Sequence, residues 1–441
     1  MVWRLNSHLK RIGALGSMAL SSMLLASCDQ EERLPGTRLA VFAADDSLLV
    51  QGQTEPVALS APYVNADWSM QGGSNSHAMY HLVLADAPAK AWGVDIGVQE
   101  NAQQKITAQP IVANNFVYAM DANLNVSARR LTDGELVWRV NVGDADETSN
   151  TFGGGMAFGD GRLYVATGDS ELFAMNPATG QAVWRARLLG PARGGVTFFQ
   201  GRLYIQTLNN KTEAFHADTG RSIWQHQGIE EVTSIVGSSA PATDGQVVYV
   251  TYSSGEVYAL IAETGGVIWT DIISPLGAFS GRLQQEISDI QALPVIDRGL
   301  LIVTSNGGRT VGYDIQRGLP AWEYTAGGTQ TPAVSTEHIF LVTNDGTAVA
   351  LQRSTGRAVW VKDLGSNATR SGVKKIEWFG PIIASNRLLF GSSLGHLIAL
   401  SPFDGRLLGE ISLGSGLSVP PVVANQNMIF LTQSARLLNY R

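Results

Sequence analysis

The stretch PATGQAVWRARL, residues 177–188, contains a Thr-Gly step followed by a tryptophan four residues after the glycine. Residues 217–227 read ADTGRSIWQHQ and repeat the same arrangement. Glycine supplies the positive φ that a tight hairpin turn requires, at no steric cost. An indole ring has a large apolar surface that suits contact with a neighbouring unit. The recurrence predicts a protein built from repeated β-hairpins.

The hairpin returns along the chain with a spacing of about 45 residues, which is typical of a stacked or radial repeat array. Its tryptophans are Trp138, Trp184, Trp224, Trp269, Trp322 and Trp360, and its glycines are Gly134, Gly180, Gly220, Gly265, Gly318, Gly356 and Gly405. The last copy keeps the turn but has Gly409 where the tryptophan is expected. Each repeat holds four short alternating segments separated by turn residues, a pattern typical of propeller blades.

The two ends of the chain complete one further blade. The hairpins predict blades over residues 106–142, 153–189, 194–228, 238–273, 290–326, 330–364 and 378–414. The residues that follow supply only three strands, whereas AKAWGVDIG, residues 89–97, supplies a strand with Trp92 and no blade of its own. Pairing these segments removes exposed sheet edges. We predict an all-β fold, an eight-bladed β-propeller of four-stranded antiparallel blades over residues 67–441, closed by pairing the N-terminal strand with the C-terminal three.

The N-terminus has the pattern of an export signal. Residues 1–27 combine basic residues, a short apolar run and small residues before Cys28, which predicts a signal peptide. The apolar run is too short for a comfortable transmembrane helix. The sequence LASC resembles a bacterial lipobox, so we predict that Cys28 is lipidated and becomes the mature N-terminus. Residues 28–66 are then expected to tether the propeller to the membrane.

Composition argues against several classes of function. The net charge of −7 disfavours a general nucleic-acid binder, which needs a basic face. His77 and His81 are the only neighbouring histidines, and without a nearby cysteine or carboxylate cluster we expect surface or turn residues and no metal site. We find no P-loop, no nucleophile elbow and no Ser/His/Asp constellation. No catalytic residue and no cofactor is therefore expected.

The repeats A-x-(D/N)-x-x-T-G-x-x-x-W resemble the PQQ-like propeller repeat over nearly all of residues 65–441. Together with the lipobox, the eight blades and the absence of extra domains, they resemble the BamB family of lipoproteins of the outer-membrane β-barrel assembly (BAM) complex. The resemblance implies a non-enzymatic scaffold that binds the periplasmic domains of BamA and other BAM subunits, with nascent outer-membrane proteins as further partners. It also implies the periplasmic face of the outer membrane, although Asp29 after the lipidated cysteine favours inner-membrane retention in some bacteria.

The same resemblance implies a partner-binding surface. Members of the family carry a segment like LSLRGESAP and a loop like DRLSDVD, and TSIVGSSAPAT (233–243) and GRLQQEISDIQ (281–291) correspond to them here. The implied contacts to BamA are Thr233, Ile235, Val236, Asp289 and Gln291. The match is partial, since Val236 replaces an arginine and Gln291 an acidic residue. We expect arginine at positions 235 and 289 to weaken BamA binding and to leave thermal melting unchanged.

Two other functions stay open at this point. A PQQ-dependent periplasmic dehydrogenase resembles this repeat, but such enzymes hold a quinone and calcium beside a catalytic aspartate, and some carry adjacent cysteines over the cofactor. The chain has no cysteine besides Cys28, and its blades leave little sequence for the long loops of such a site. A periplasmic binding propeller of other specificity is the second alternative.

Overall fold

The structure, a computed structural model, describes residues 55–143, 153–231, 239–274, 289–365 and 376–441. They belong to one compact unit, Ser47–Arg441. Its strands, in chain order, are β1 Lys90–Asp95, β2 Ile111–Ala113, β3 Phe116–Met120, β4 Asn125–Arg130, β5 Leu136–Asn141, β6 Gly154–Gly159, β7 Arg162–Thr167, β8 Glu171–Met175, β9 Ala182–Arg187, β10 Thr197–Phe199, β11 Arg202–Gln206, β12 Lys211–His216, β13 Ser222–Gln227, β14 Ala242–Thr243, β15 Val247–Thr251, β16 Glu256–Ile261, β17 Val267–Ile272, β18 Val295–Asp297, β19 Leu300–Ser305, β20 Arg309–Asp314, β21 Leu319–Tyr324, β22 Ala333–Val334, β23 His338–Val342, β24 Thr347–Gln352, β25 Ala358–Asp363, β26 Trp378–Ala384, β27 Arg387–Ser392, β28 His396–Leu400, β29 Leu407–Ser412, β30 Val422–Ala424, β31 Asn427–Leu431 and β32 Arg436–Tyr440.

The strands form eight four-stranded antiparallel sheets, which are the blades of an eight-bladed β-propeller. Blades 1 to 7 are consecutive in the chain, from β2–β5 to β26–β29, and blade 8 has the order β1-β32-β31-β30. Ala89 and Arg441 exchange backbone hydrogen bonds of 3.0 Å in both directions at this seam. The predicted closure by the N-terminal strand is therefore confirmed.

The outermost strand of each blade is its most exposed strand. The innermost strands β2 and β18 are buried at every residue, whereas the outermost strand β9 has no buried residue. Side chains of adjacent strands pair across the blade, and neighbouring blades share buried apolar clusters. The core is thus distributed around the ring between the blades.

The repeated tryptophan connects one blade to the next, as the sequence predicts. The indole Nε1 of Trp224 in blade 3 donates to the carbonyl of Ala262 in blade 4 at 3.0 Å. The same ring packs on the turn glycine Gly265, whose φ is +71°, and a Cβ there would lie 2.7 Å from it. The corresponding acceptors are the carbonyls of Leu131 for Trp92, Pro177 for Trp138, Ala217 for Trp184, Ile315 for Trp269, Arg353 for Trp322 and Pro402 for Trp360.

Gly409 lies in blade 7 at its junction with blade 8, where no turn is present for a tryptophan ring to pack on. The inter-blade tryptophan packs on the turn between the third and fourth strands of the next blade. In blade 8 those strands are β32 and β1, which lie at opposite ends of the described chain and share no turn. A Cβ added at Gly409 meets nothing within 4 Å. The seam therefore accounts for the missing tryptophan.

Residues 63–84 form a segment that we call the collar, which follows the inner strands around the propeller axis. Backbone bonds join Trp68 to Val112 of blade 1 in both directions, at 2.7 and 2.9 Å. Further contacts in ring order are Asn65 to Val423 (blade 8), Ser69 to Phe158 (blade 2), Gln71 to Gly195 (start of blade 3), Asn75 to Thr243 (blade 4), Ser76 to Ile296 (blade 5) and Leu82 to Ile383 (blade 7). At blade 6, Ala78 shares a buried cluster with Val334.

A buried carboxylate fastens the collar to blades 5 and 6. Asp297 accepts a hydrogen bond from Tyr80 of the collar at 2.7 Å and pairs with Arg298 and Arg353. Burial raises the pKa of this carboxyl, but the hydrogen bonds from Arg298, Tyr80 and Arg353 outweigh that effect and leave the pKa below its ordinary value. The collar is thus held by an ionised group.

Part of the predicted tether also lies against the propeller. Val57 is buried in the same cluster as Phe340 of blade 6. The last residues of the predicted tether, from Tyr63 onward, are the first residues of the collar. The predicted signal peptide, residues 1–27, and the tether residues 28–54 lie outside the described residues. The tether and signal-peptide assignments stay predictions.

Candidate functional site

Blade topology gives the propeller two unlike faces. At one face, which we call the loop face, the outermost strand of each blade leads to the innermost strand of the next, and the second strand turns into the third. At the opposite face the first strand turns into the second and the third into the fourth. Binding loops of a propeller are presented by such a rigid scaffold. Each connection between consecutive blades therefore begins and ends at the loop face.

A pocket of about 480 Å³ lies on the axis between the collar and the loop face. Collar residues Trp68, Gln71, His77 and Tyr80 form its floor, and residues in or before the innermost strands of blades 1 and 5 to 8 form its walls. Its volume falls in the range of small-ligand sites. The short loops of the blades do not predict such a pocket, because the collar that closes the channel has no counterpart in the repeat.

Gln109 joins the floor of the pocket to its wall. Its Oε1 accepts from Trp68 Nε1 at 3.2 Å and from the Gly72 amide at 3.0 Å. Its Nε2 donates to the carbonyl of Pro420 at 3.2 Å. One amide side chain therefore ties the collar, blade 1 and blade 8 together.

Three buried polar atoms of lining residues have no hydrogen-bond partner among the described residues. They are Nε2 of His77, Nε2 of Gln291 and Oγ of Ser418. Buried polar groups are normally paired, because an unpaired one costs about 1–3 kcal/mol. All three atoms are enclosed by neighbouring protein atoms, so a molecule in the pocket cannot reach them without a rearrangement.

The predicted partner-binding residues fall into two sets. Asp289 is fully buried and pairs with Arg193, which is itself 1% exposed and also donates to the Ile290 carbonyl at 3.2 Å. Gln291 is 8% exposed and lines the pocket. The other predicted residues lie outside the described residues: Thr233, Ile235, Val236 and the predicted lipidation site Cys28. The strand before this segment, β13, ends at the loop face, and the strand after it, β14, begins there.

The burial of Asp289 argues against the expectation that it can be replaced without an effect on melting. Its carboxylate is 0% exposed and compensates a buried guanidinium, so a surface contact does not describe its environment. Arg193 is 96 residues distant in the chain, and no local pattern in the sequence marks the two as partners. A role for Asp289 in BamA binding stays a prediction. Because its side chain is buried, we expect it to act by positioning neighbouring residues.

The expectation of surface or turn positions is met only in part by the two neighbouring histidines: the His77 amide closes a turn on the Ser74 carbonyl at 3.1 Å, but neither side chain lies at the surface. His77 is 4% exposed and His81 is 1% exposed. His77 Nδ1 lies 2.7 Å from the carbonyl of Pro294, and His81 Nδ1 lies 2.6 Å from the carbonyl of Ser60. A carbonyl can only accept, so Nδ1 carries the proton in both rings. Both histidines therefore anchor the collar.

We predict that the His77 imidazole makes the protein less stable in mild acid. Burial lowers its pKa from 6.5 to about 4, an effect that the hydrogen bond to Pro294 partly opposes. Between these values the folded protein binds fewer protons than the unfolded chain. The contribution of the neutral His77 imidazole to the free energy of unfolding is complete above pH 6.5 and is lost as the pH falls toward 4. The shift corresponds to about 3 kcal/mol.

Denaturant unfolding at neutral pH and near pH 4 checks this with the variant His77→Asn. Asparagine tolerates the φ of +59° at this position and can donate to the same carbonyl. The variant should lose less stability on acidification than the wild-type protein. Equal losses in both proteins would rule out His77 as the titrating group.

The chain is similar to known proteins over most of its length. The family model described as "Outer membrane protein assembly factor BamB" matches residues 122–362. The chain belongs to the BamB family. The BamB protein of Salmonella typhimurium is 30% identical over 347 residues, which cover 78% of this chain and 86% of that protein. The BamB protein of Xanthomonas campestris is 33% identical over 330 residues, which cover 74% of this chain and 78% of that protein.

Solved structures share the fold across this family and beyond it. BamB from Moraxella catarrhalis matches with a TM-score of 0.67 at 19% identity, covering 80% of this chain and 100% of that one. Quinohemoprotein alcohol dehydrogenase from Comamonas testosteroni matches with a TM-score of 0.63 at 13% identity, covering 85% of this chain and 80% of that one. At such identities the similarity concerns the propeller fold alone.

The pocket of this BamB-family chain does not fit the quinone of those dehydrogenases. Pyrroloquinoline quinone is a tricarboxylate, which requires cationic partners when it is desolvated. The charged lining residues are Glu100, Lys105 and Glu377, and Lys105 Nζ lies 3.3 Å from Glu100. Within the described ranges, no three His, Cys, Asp or Glu side chains group to hold a metal ion. Two acids and one paired base disfavour such an anion.

The described part of the chain contains no helix with the length and apolar character needed to span a membrane.

Proposed function

We propose that this protein is a non-catalytic scaffold of the BAM complex that helps to assemble and insert β-barrel proteins into the outer membrane. Membership of a family of outer membrane protein assembly factors is the observation that carries the proposal. The rigid ring of blades supports it, because such a ring presents several loops at fixed relative positions to a large partner.

We place the BamA-binding surface on the loop face around Thr233, Ile235, Val236 and Gln291. Gln291 and the ends of β13 and β17 support this position, since each lies on that face. Asp289 holds the residues beside Gln291 through its pair with Arg193. In this proposal Asp289 is a positioning residue and does not touch BamA.

A scaffold role agrees with the chemistry of the described residues. The charges of the pocket disfavour a polycarboxylate cofactor. We propose lipid attachment at Cys28 and location at the periplasmic face of the outer membrane. Multiple acyl chains are sufficient for stable anchoring.

Ile235→Arg is expected to weaken binding to the periplasmic domains of BamA at least about tenfold, because a charge would be desolvated where an apolar contact is proposed. Co-purification and a direct titration with those domains measure the change. Val183→Arg is the matched control, since Val183 is 53% exposed on the outer rim of blade 2. Unchanged affinity in Ile235→Arg, or an equal loss in both variants, would remove this assignment.

A further inference from the structure

Two exposed aliphatic residues break the repeat at the same position of neighbouring blades. The fifth residue after the repeat tryptophan, or after Gly409 in blade 7, starts the connection to the next blade at the loop face. Blades 2 and 3 have Leu189 and Ile229 there, and these side chains are 47% and 53% exposed. The other six blades have small residues, which are Gly97, Gly143, Ser274, Gly327, Gly365 and Gly414. One exposed aliphatic residue is ordinary, but a pair confined to adjacent blades marks a local surface.

Buried carboxylates of the following blade hold the backbone amides of both residues. The amide of Leu189 donates to Glu213 Oε1 at 2.8 Å, and the amide of Ile229 donates to Glu256 Oε2 at 2.6 Å. Glu213 belongs to blade 3 and Glu256 to blade 4, and both are buried. Hydrogen bonds from a backbone amide to a carboxylate are stronger than those between neutral groups. The first residues of each connection are therefore fixed by the blade that follows.

One turn of blade 3 holds the carbonyls of both residues. Asn209 Nδ2 donates to the carbonyl of Leu189 at 3.3 Å, and Asn210 Nδ2 donates to the carbonyl of Ile229 at 2.7 Å. These asparagines are consecutive in the turn between β11 and β12, at the loop face. Asn210 is itself buried and accepts from the backbone amide of Ser253 in blade 4 at 3.2 Å. Leu189 and Ile229, which we call the aliphatic pair, are thus linked through one turn and have fixed backbones.

Acidic residues border the aliphatic pair. Glu230 and Glu231 directly follow its second member and are exposed. Arg187, two residues before its first member, pairs with Glu171 at 2.9 Å. Complementary charge at the border of an interface contributes to orientation and to the rate of association. The surface therefore suits a partner with an apolar patch bordered by lysine or arginine.

We infer that the aliphatic pair is a contact surface for a folded protein that presents an apolar patch bordered by basic side chains. The inference rests on the proposed function, in which that protein is BamA, and it extends the proposed surface to the connection between blades 2 and 3. Ile229 lies four residues before Thr233, so the pair continues the segment proposed to meet BamA. A residue whose backbone is already fixed loses little conformational freedom on association, which favours binding.

Leu189→Lys and Ile229→Lys test this surface in the titration with the periplasmic domains of BamA. Each variant should weaken binding at least about tenfold, because it removes an apolar contact and places a positive charge against the basic border of the partner. Leu394→Lys is the matched control, since Leu394 is 48% exposed in a loop-face turn of blade 7. It should bind as the wild-type protein does. The melting temperatures of all three variants should equal that of the wild-type protein, because the replaced side chains are exposed.

Replacing both Glu230 and Glu231 by glutamine tests the charge at the border of the aliphatic pair. The double variant should bind the BamA domains more weakly at low salt, and its affinity should depend less on salt concentration than that of the wild-type protein. An unchanged salt dependence would overturn the inference, because the inference assigns a basic border to the partner.

The outcomes separate this inference from the proposed function. If Ile235→Arg loses affinity and both lysine variants bind as the wild-type protein does, the inference is wrong and the proposed function stands. An equal loss in Leu394→Lys would mean that added charge anywhere on the loop face weakens binding, and the inference would be wrong. If a lysine variant melts lower, Leu189→Ala and Ile229→Ala take its place, and each should still weaken binding whereas Leu394→Ala should not. If the wild-type protein does not bind the BamA domains, the proposed function is wrong and the inference fails with it.

Discussion

Asp289→Ala is expected to lower the free energy of unfolding by about 3–5 kcal/mol. The substitution leaves the guanidinium of Arg193 buried without its counter-ion, and Nε and Nη1 of that group already have no partner among the described residues. A desolvated charge that loses its partner is costly, whereas the same pair on a surface contributes little. Denaturant-induced unfolding, with the midpoint and slope fitted separately, measures the change.

Two further variants identify the origin of this effect. Asp404→Ala is the control, because Asp404 is 57% exposed beside Arg406 and should change stability by no more than about 0.5 kcal/mol. Replacing both Arg193 and Asp289 by apolar residues of similar volume should recover most of the loss. If Asp289→Ala melts as the wild-type protein does and yet fails to bind BamA, Asp289 is a direct contact and the positioning role is wrong.

The blades were predictable because their determinants are local. A hairpin needs a glycine at one position and an alternating strand on either side, so the short stretch around Gly180 contains the information. The tryptophan adds the contact to the next blade at a fixed offset. One such hairpin is a weak signal, but its repetition predicts a propeller. The one copy without a tryptophan, at Gly409, lies next to the blade that closes the ring.

The collar and the buried ion pair were not predictable in this way. The collar has no period, because each of its residues meets a different blade at a different angle. His77 and His81 therefore look like polar turn residues in the sequence, although both are buried. Asp289 looks like a solvated loop residue, since its partner Arg193 comes from another blade. These features depend on contacts between distant segments, which only the closed ring defines.

This difference also bears on where function is found. The repeated positions stabilise the ring and are alike in every blade, so they distinguish one site from another poorly. The pocket and the loop face are built from the residues that break the repeat, such as Gln291 and the collar. In a propeller, the exceptions to the periodic pattern are the better guide to binding.

Trp224→Ala is expected to cost about 3–5 kcal/mol of unfolding free energy. The ring is 7% exposed, lies in the cluster between blades 3 and 4, and donates to the Ala262 carbonyl at 3.0 Å. Truncation opens a cavity on Gly265, leaves that carbonyl without this donor, and weakens a junction at which the described strands of the two blades share no ladder. Chemical unfolding followed by circular dichroism measures the loss.

Trp224→Phe separates packing from hydrogen bonding at the same junction. It keeps much of the aromatic contact and removes the Nε1 donor, so a loss nearer to about 1 kcal/mol is expected. Gly409→Trp is the reverse change at the seam, where no turn receives an indole and a Cβ meets nothing within 4 Å. It should alter stability by less than about 0.5 kcal/mol. If Gly409→Trp instead stabilises the protein by as much as Trp224→Ala destabilises it, the indole does not need the turn of the next blade, and the seam does not account for the missing tryptophan.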